Sequence, residues 1–222
     1  MNSVFNAAAA HFRRFLTVSV LAIPILAGQA QAQTPPTILA LGDSLTAGYG
    51  LAEVDIFPVR LEAALRAAGT PATVINAGVS GDTTAGGLAR VDWLIGGAPP
   101  DVLLIELGGN DGLRAIDPKN TRANVEAIIE KGKAAGSVVL LTGMLAPPNL
   151  GREYENEFNA IFPDLAARHQ VLFYPFFLEG VAADRALNQP DGIHPNRKGV
   201  DIIVGRILPI VQEALAKAAT ES

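Results

Sequence analysis

Five short apolar runs, each closed by a glycine-rich or polar loop, set the limits on how this chain folds. They are Thr37–Leu41, Ala72–Asn76, Asp101–Leu107, Ser137–Thr142 and Gln170–Tyr174. Their lengths and β-branched content read as strands, and their unbroken apolarity predicts burial on both faces. Helical patterns lie between them. Phe57–Ala68 is rich in Ala, Leu and Arg, and Gly69 fits its stop. Thr84–Ile95 follows the polar pair Asp82-Thr83, which reads as a cap. Asp117-Pro118 supplies an N-cap with proline at N1 for a helix running to about Ala135. Glu153–His169 is helical, and Pro163 inside it predicts a kink or break. Asn196–Ala218 closes the chain, with Pro209 raising the same expectation.

Strand–helix alternation predicts a three-layer α/β/α domain around a parallel sheet. Right-handed crossovers narrow the topology, and the flavodoxin-like strand order 2-1-3-4-5 is the expected one. Hydrophobic residues make up 49% of the chain and charged residues 18%, enough apolar surface for one packed core and too much for global disorder. Cysteine is absent, which excludes disulfides, thiolate metal sites and a cysteine nucleophile. A net charge of −5 with no Lys/Arg-rich run argues against nucleic acid as a partner.

The first residues read as an address. Arg13 and Arg14 precede a 13-residue apolar run, Phe15–Ala27, and small residues then lead to Ala30-Gln31-Ala32. The run is shorter than the roughly 20 residues of a membrane helix. The order is that of a secretory signal peptide, predicted to span residues 1–32 with cleavage after Ala32. Residues 33–222 then form the single domain, without a membrane anchor and as a monomer. The leader carries two arginines and no acids, so its removal makes the chain more acidic.

In parallel sheets of this kind, ligands sit outside the carboxyl ends of the strands. The loops there contain Gly42-Asp43-Ser44-Leu45, then Asn76-Ala77-Gly78, then Gly108-Gly109-Asn110-Asp111, and finally Asp191-Gly192-Ile193-His194-Pro195. Serine becomes a nucleophile when a base takes its proton, and a carboxylate orients a histidine base. Beyond the leader the chain has two histidines. His169 precedes the fifth strand, at the opposite edge, and reads as a satisfied helix-end residue. A histidine base is therefore His194, and Asp191 lies three residues before it, within reach of one tight turn. Structural readings stand beside these. Ser44 could cap the helix after the first strand, Gly78 could be a turn glycine, and Asn110 could bond its own backbone. Asp43 and Asp111 read as loop braces. The sequence contains no G-x-S-x-G elbow, no phosphate-binding loop and no G-x-G-x-x-G. A metal site at Asp191 and His194 would lack a third His or Cys nearby, and no cofactor or metal is expected.

The blocks Gly42-Asp43-Ser44-Leu45, Gly78, Gly108-Gly109-Asn110-Asp111 and Asp191-Gly192-Ile193-His194-Pro195, in this order over about 150 residues, together resemble the SGNH, or GDSL, hydrolases. Further stretches are similar to the bacterial periplasmic subgroup of acyl-CoA thioesterase, lysophospholipase and arylesterase. These are Gly48-Tyr49, Ser80-Gly81-Asp82-Thr83, Gly112-Leu113-Arg114 and Pro147–Arg152. The resemblance implies the SGNH hydrolase fold, with Ser44 as nucleophile, His194 as base and Asp191 as orienting carboxylate. It implies an oxyanion hole made by the N–H groups of Ser44 and Gly78 and the Asn110 amide. It also implies a periplasmic location.

An acyl pocket is expected from the loops after the third to fifth strands, with Met144, Leu145, Pro147, Leu150 and Phe177 as lining. Apolar lining favours short- to medium-chain esters and thioesters as the small-molecule substrates, through burial of the acyl chain. A carbohydrate acetylesterase on the same scaffold is the alternative. It would want more aromatic and polar side chains, whereas the single tryptophan, Trp93, is expected to pack within the second helix.

Overall fold

The computed structural model describes residues 35–221. The predicted leader lies outside the described residues. Five parallel strands run β1 Thr37–Gly42, β2 Thr73–Gly78, β3 Val102–Glu106, β4 Val138–Thr142 and β5 Leu172–Tyr174. Their order is β2-β1-β3-β4-β5, as expected. Gly42 of β1 is in register with Gly78 of β2 and Glu106 of β3, so three strands end at one level. β3 and β4 are buried along their whole length and form the floor of the core.

β2 corrects the expectation of burial on both faces. It is an edge strand, Ile75 is 44% exposed, and Thr73 and Asn76 are exposed too. Its apolar content is shared with solvent because only β1 pairs with it.

The helices are α1 Ser44–Ala47, α2 Phe57–Ala67, α3 Thr84–Gly96, α4 Gly109–Leu113, α5 Pro118–Ala134, α6 Arg152–Asn159, α7 Ile161–His169 and α8 Arg197–Glu221. α3 packs on α5, and α2 packs on α8. Asp117 caps α5 by accepting the Lys119 N–H at 2.9 Å, with Pro118 in the first turn. Thr83 is the N-cap of α3, while Asp82 pairs with Arg90. The helix expected over 153–169 is two helices that meet at Ala160. Pro163 lies in the first turn of α7, where a missing N–H costs no intrahelical bond. Pro209, by contrast, is accommodated inside the continuous α8. Both Pro209 and Gly205, whose carbonyl the proline leaves without its helical donor, face solvent, so water can serve that carbonyl.

Two corrections concern aromatic residues. Trp93 does not pack into the core. It sits on α3 at 83% exposure. Phe177 does, with an edge-to-face contact on Phe57 at 5.0 Å between ring centres.

Candidate active site

The site grows from the turn after β1. Asp43 is the N-cap of α1, its Oδ1 accepting the Leu45 N–H at 2.9 Å. Capping is thus done by Asp43, and the Ser44 hydroxyl faces elsewhere. Ser44 Oγ lies 2.9 Å from His194 Nε2. His194 Nδ1 lies 2.8 Å from Asp191 Oδ2. The tight turn expected between Asp191 and His194 is present, with Asp191 Oδ1 accepting the N–H groups of Ile193 and His194 at 3.1 Å each. The hydrogen bond from the His194 ring, helped by these two N–H groups, holds the Asp191 carboxyl down to about 2. It is therefore an ionised acceptor at neutral pH, and the tautomer this favours carries hydrogen on Nδ1 and a lone pair on Nε2.

Two further residues, Tyr49 of the nucleophile block and Gln189, hold this geometry. The Tyr49 ring tilts over the His194 ring with centres 4.6 Å apart. The Gln189 amide donates to Tyr49 O at 2.7 Å and to Pro195 O at 3.0 Å, tying the histidine loop to the nucleophile loop.

Asn110, in the first turn of α4, donates from Nδ2 to Asp43 Oδ2 at 3.1 Å. One amide hydrogen is thereby fixed, and the second remains to face the cleft. The Ser44 N–H belongs to the first turn of a helix, where donors have no intrahelical acceptor. Gly78 differs from its expected role in this state. Its N–H donates to Asn76 Oδ1 at 2.9 Å. Gly78 is nevertheless pressed against the nucleophile turn, because a Cβ there would overlap the backbone of Ala47.

The floor beneath Ser44 is acidic and buried. Asp43 is 2% exposed, and burial raises its carboxyl to about 6 against the opposing pull of the Leu45 N–H and the Asn110 amide. Glu106 is wholly buried below it. Burial, with the charge of Asp43, pushes the Glu106 carboxyl well above the ordinary range. Arg90 closes the corner by donating to Gly42 O at 3.0 Å, Ala77 O at 2.7 Å and Asp82 at 2.8 Å. Asp111 is a brace as expected, accepting from Thr84 and Thr121.

The sequence profile of the GDSL-like lipase/acylhydrolase family matches residues 40–202, which contain every residue of this constellation. The chain belongs to that family. Among similar proteins, "Esterase TesA" of Pseudomonas aeruginosa is 38% identical over 203 residues, 91% of this chain and all of that protein. "Thioesterase 1/protease 1/lysophospholipase L1" of Escherichia coli K12 is 41% identical, over 75% of this chain and 79% of that protein. The crystal structure of AlinE4, an SGNH-hydrolase family esterase, superposes with a TM-score of 0.70 at 45% identity, covering 83% of this chain and 99% of that one.

In this family member the cleft is a cavity of about 560 Å³. Ser44, Asn110 and His194 face it, and so do Met144, Leu145 and Pro147. Leu150 and Phe177 do not line it, which corrects the expected pocket. Leu150 ends the short 3₁₀ turn Pro148–Leu150, and Pro148 from that turn takes the wall position. Adjacent Phe176 faces the cleft while Phe177 turns to the core. Leu113 and Ile193 complete the apolar rim. His169 stays at its helix end, with Nε2 2.9 Å from Glu126 Oε1. It forms with Glu126 and Glu130 a possible metal-ligand group on the far side, where Arg168 already binds Glu126.

Glu106, Tyr49, Gln189 and Arg90 join the site through the fold and not through a role their sequence neighbourhood states. Glu106 did carry a signal, as the one charged side chain in the buried strand Val102–Glu106.

Proposed function

We propose that the chain hydrolyses carboxylic esters and thioesters of short- to medium-chain acyl groups through an acyl-enzyme on Ser44. The observation that carries this reading is the 2.9 Å line from Ser44 Oγ to His194 Nε2 at the floor of an apolar cavity. His194 Nε2 takes the Ser44 proton as Oγ attacks the acyl carbonyl carbon. Ionised Asp191 stabilises the resulting imidazolium. The oxyanion is met by the Ser44 N–H and the Asn110 amide. The Gly78 N–H joins them once it exchanges Asn76 Oδ1 for the substrate oxygen. Collapse of the intermediate breaks the bond to the alcohol or thiol, which leaves with the proton from His194. Water, deprotonated by the same ring, then releases the acid and restores Ser44.

The apolar rim supports acyl chains over sugars. The carbohydrate acetylesterase alternative would want a tryptophan platform and more polar side chains in the cleft; Trp93 on α3 is not among the cavity residues, and Tyr49, which is, lies over the His194 ring. The charged-apolar-small order of residues 1–32 supports export with removal of that leader, and a periplasmic location is what the family resemblance adds. None of the described helices is long and apolar enough to cross a membrane.

The test is initial rates on p-nitrophenyl esters from acetyl to palmitoyl, beside Ser44→Ala. Burial worth about 0.8 kcal/mol per methylene predicts roughly fourfold gains in kcat/KM per carbon until the cavity is filled. Turnover of acetyl esters alone would favour the sugar deacetylase. Full activity in Ser44→Ala would remove the nucleophile assignment.

A further inference from the structure

Glu106 ends β3, and none of its surface reaches solvent. Its Oε2 accepts the Thr46 hydroxyl at 2.7 Å and the Asp43 N–H at 3.4 Å. Its Oε1 has no hydrogen-bond partner among the described residues. Gly42 lies beside it in register, and a Cβ on Gly42 would overlap both Thr46 Oγ1 and Glu106 Oε2. The glycine before the nucleophile turn thus makes room for this contact. Among the described residues no basic side chain donates to Glu106; the Arg90 guanidinium of the same corner is committed to Gly42 O, Ala77 O and Asp82. A buried carboxyl with an unmet oxygen costs stability, and a leucine or valine would end this apolar strand at lower cost. The cost falls at one place, directly under the turn that carries Ser44.

We propose that Glu106 is the positioning residue of the nucleophile: from inside the sheet its carboxyl group anchors the Asp43–Thr46 turn, and so keeps the Ser44 hydroxyl aimed at His194 Nε2. The inference rests on the reading of Ser44 as nucleophile. Its two donors, the Asp43 N–H and the Thr46 hydroxyl, bracket Ser44 on either side, and both end on one oxygen atom. The turn is therefore fixed at both ends to a strand that cannot move without breaking the core. Several charged or titratable groups face this corner. Asp43 comes from the cap of α1, Asp82 from the loop before α3, Arg90 from α3 and His194 from the loop above. Two carboxyls packed this closely hold one negative charge between them. Asp43 keeps it, because the Leu45 N–H and the Asn110 amide donate to it. Burial and the charge of Asp43 favour the protonated form of Glu106, in which Oε2 serves as a carbonyl-type acceptor. Glutamine reproduces that acceptor; leucine does not.

The experiment compares wild type, Ser44→Ala, Glu106→Gln, Glu106→Leu, Thr46→Val and the double variant Thr46→Val/Glu106→Leu. Steady-state kcat and KM are measured on p-nitrophenyl butyrate, with the rate of Ser44 labelling by a fluorophosphonate and the folded fraction from circular dichroism. Glu106→Leu is expected to lower kcat and labelling per folded molecule by roughly 10²-fold, with KM nearly unchanged. Glu106→Gln restores most of that rate. Thr46→Val alone costs roughly tenfold and adds little to Glu106→Leu, as expected for partners in one bond. Unchanged kcat per folded molecule in Glu106→Leu overturns the inference, leaving Glu106 a fold residue only. A Gln variant as slow as the Leu variant overturns it too, because the acceptor alone would not suffice. If Glu106→Leu does not fold, unchanged kcat in Thr46→Val overturns it. An inert wild type or an active Ser44→Ala strikes instead at the nucleophile reading.

Discussion

Removing the Asn110 side chain separates catalysis from loop bracing. In the resting structure the amide donates one hydrogen to Asp43 Oδ2 at 3.1 Å. Asp43 is itself fixed by the Leu45 N–H, so the amide plane is set before substrate arrives. Such a pre-set donor costs no reorganisation when the oxyanion forms. Its loss is worth about 2.7–4 kcal/mol of transition-state stabilisation, or roughly 10²–10³ in kcat. Asn110→Ala should therefore lower kcat by that factor on p-nitrophenyl butyrate while KM changes little, since the ground-state carbonyl asks less of the donor. Near-native circular dichroism and melting would show that the loop survives. A loss in kcat below about fivefold, far short of the range for an oxyanion donor, would refute the argument. Asn110 would then be a turn brace for Asp43, and the oxyanion would depend on backbone donors alone.

The corrected pocket makes two side chains of similar character behave oppositely. Phe177→Ala should cost about 3–5 kcal/mol of stability in urea unfolding and leave the acyl-length profile unmoved, because it empties core beside Phe57. Leu145→Ala, at a residue 49% exposed on the cleft, should move the profile and barely change the unfolding midpoint. Stability should also fall as pH rises through the titration of Asp43. Its carboxyl is raised in the fold from 3.8 to about 6, so the folded state holds the proton more tightly than the unfolded chain. That contribution is fully present below pH 4 and is lost between pH 4 and about 6. Its size is on the order of 3 kcal/mol. The melting temperature of Asp43→Asn relative to wild type should accordingly climb over this window; a difference that stays flat would contradict the buried-carboxyl account.

Much of this protein follows from local pattern. The alternation of apolar runs with capped helices is a one-dimensional property, and the handedness of crossovers narrows the topologies to the few that include the observed order β2-β1-β3-β4-β5. Asp191 and His194 are three residues apart, so one turn brings them together, and the four motif loops share an edge because every strand is parallel. Elimination assigns the base to His194, since His169 precedes β5 at the opposite edge, whereas the oxyanion-hole roles of Gly78 and Asn110 are what the family resemblance implies.

What the tertiary structure decided depends on which way a side chain faces and what stands across from it. Phe176 and Phe177 have the same chemistry and adjacent numbers, and only the packing around Phe57 sends one to the core and leaves the other at the cleft. Trp93 and Ile75 read as core residues by composition, but an edge strand and an outer helix face leave them in water. Glu106 lies 60 residues beyond Thr46, and only the register of β1 against β3 brings its carboxyl under the nucleophile. Sequence determines which residues can do the chemistry, because reactivity belongs to side-chain type and short spacing. The fold determines which of them are held in place to do it, because orientation and burial come from contacts between segments far apart in the chain.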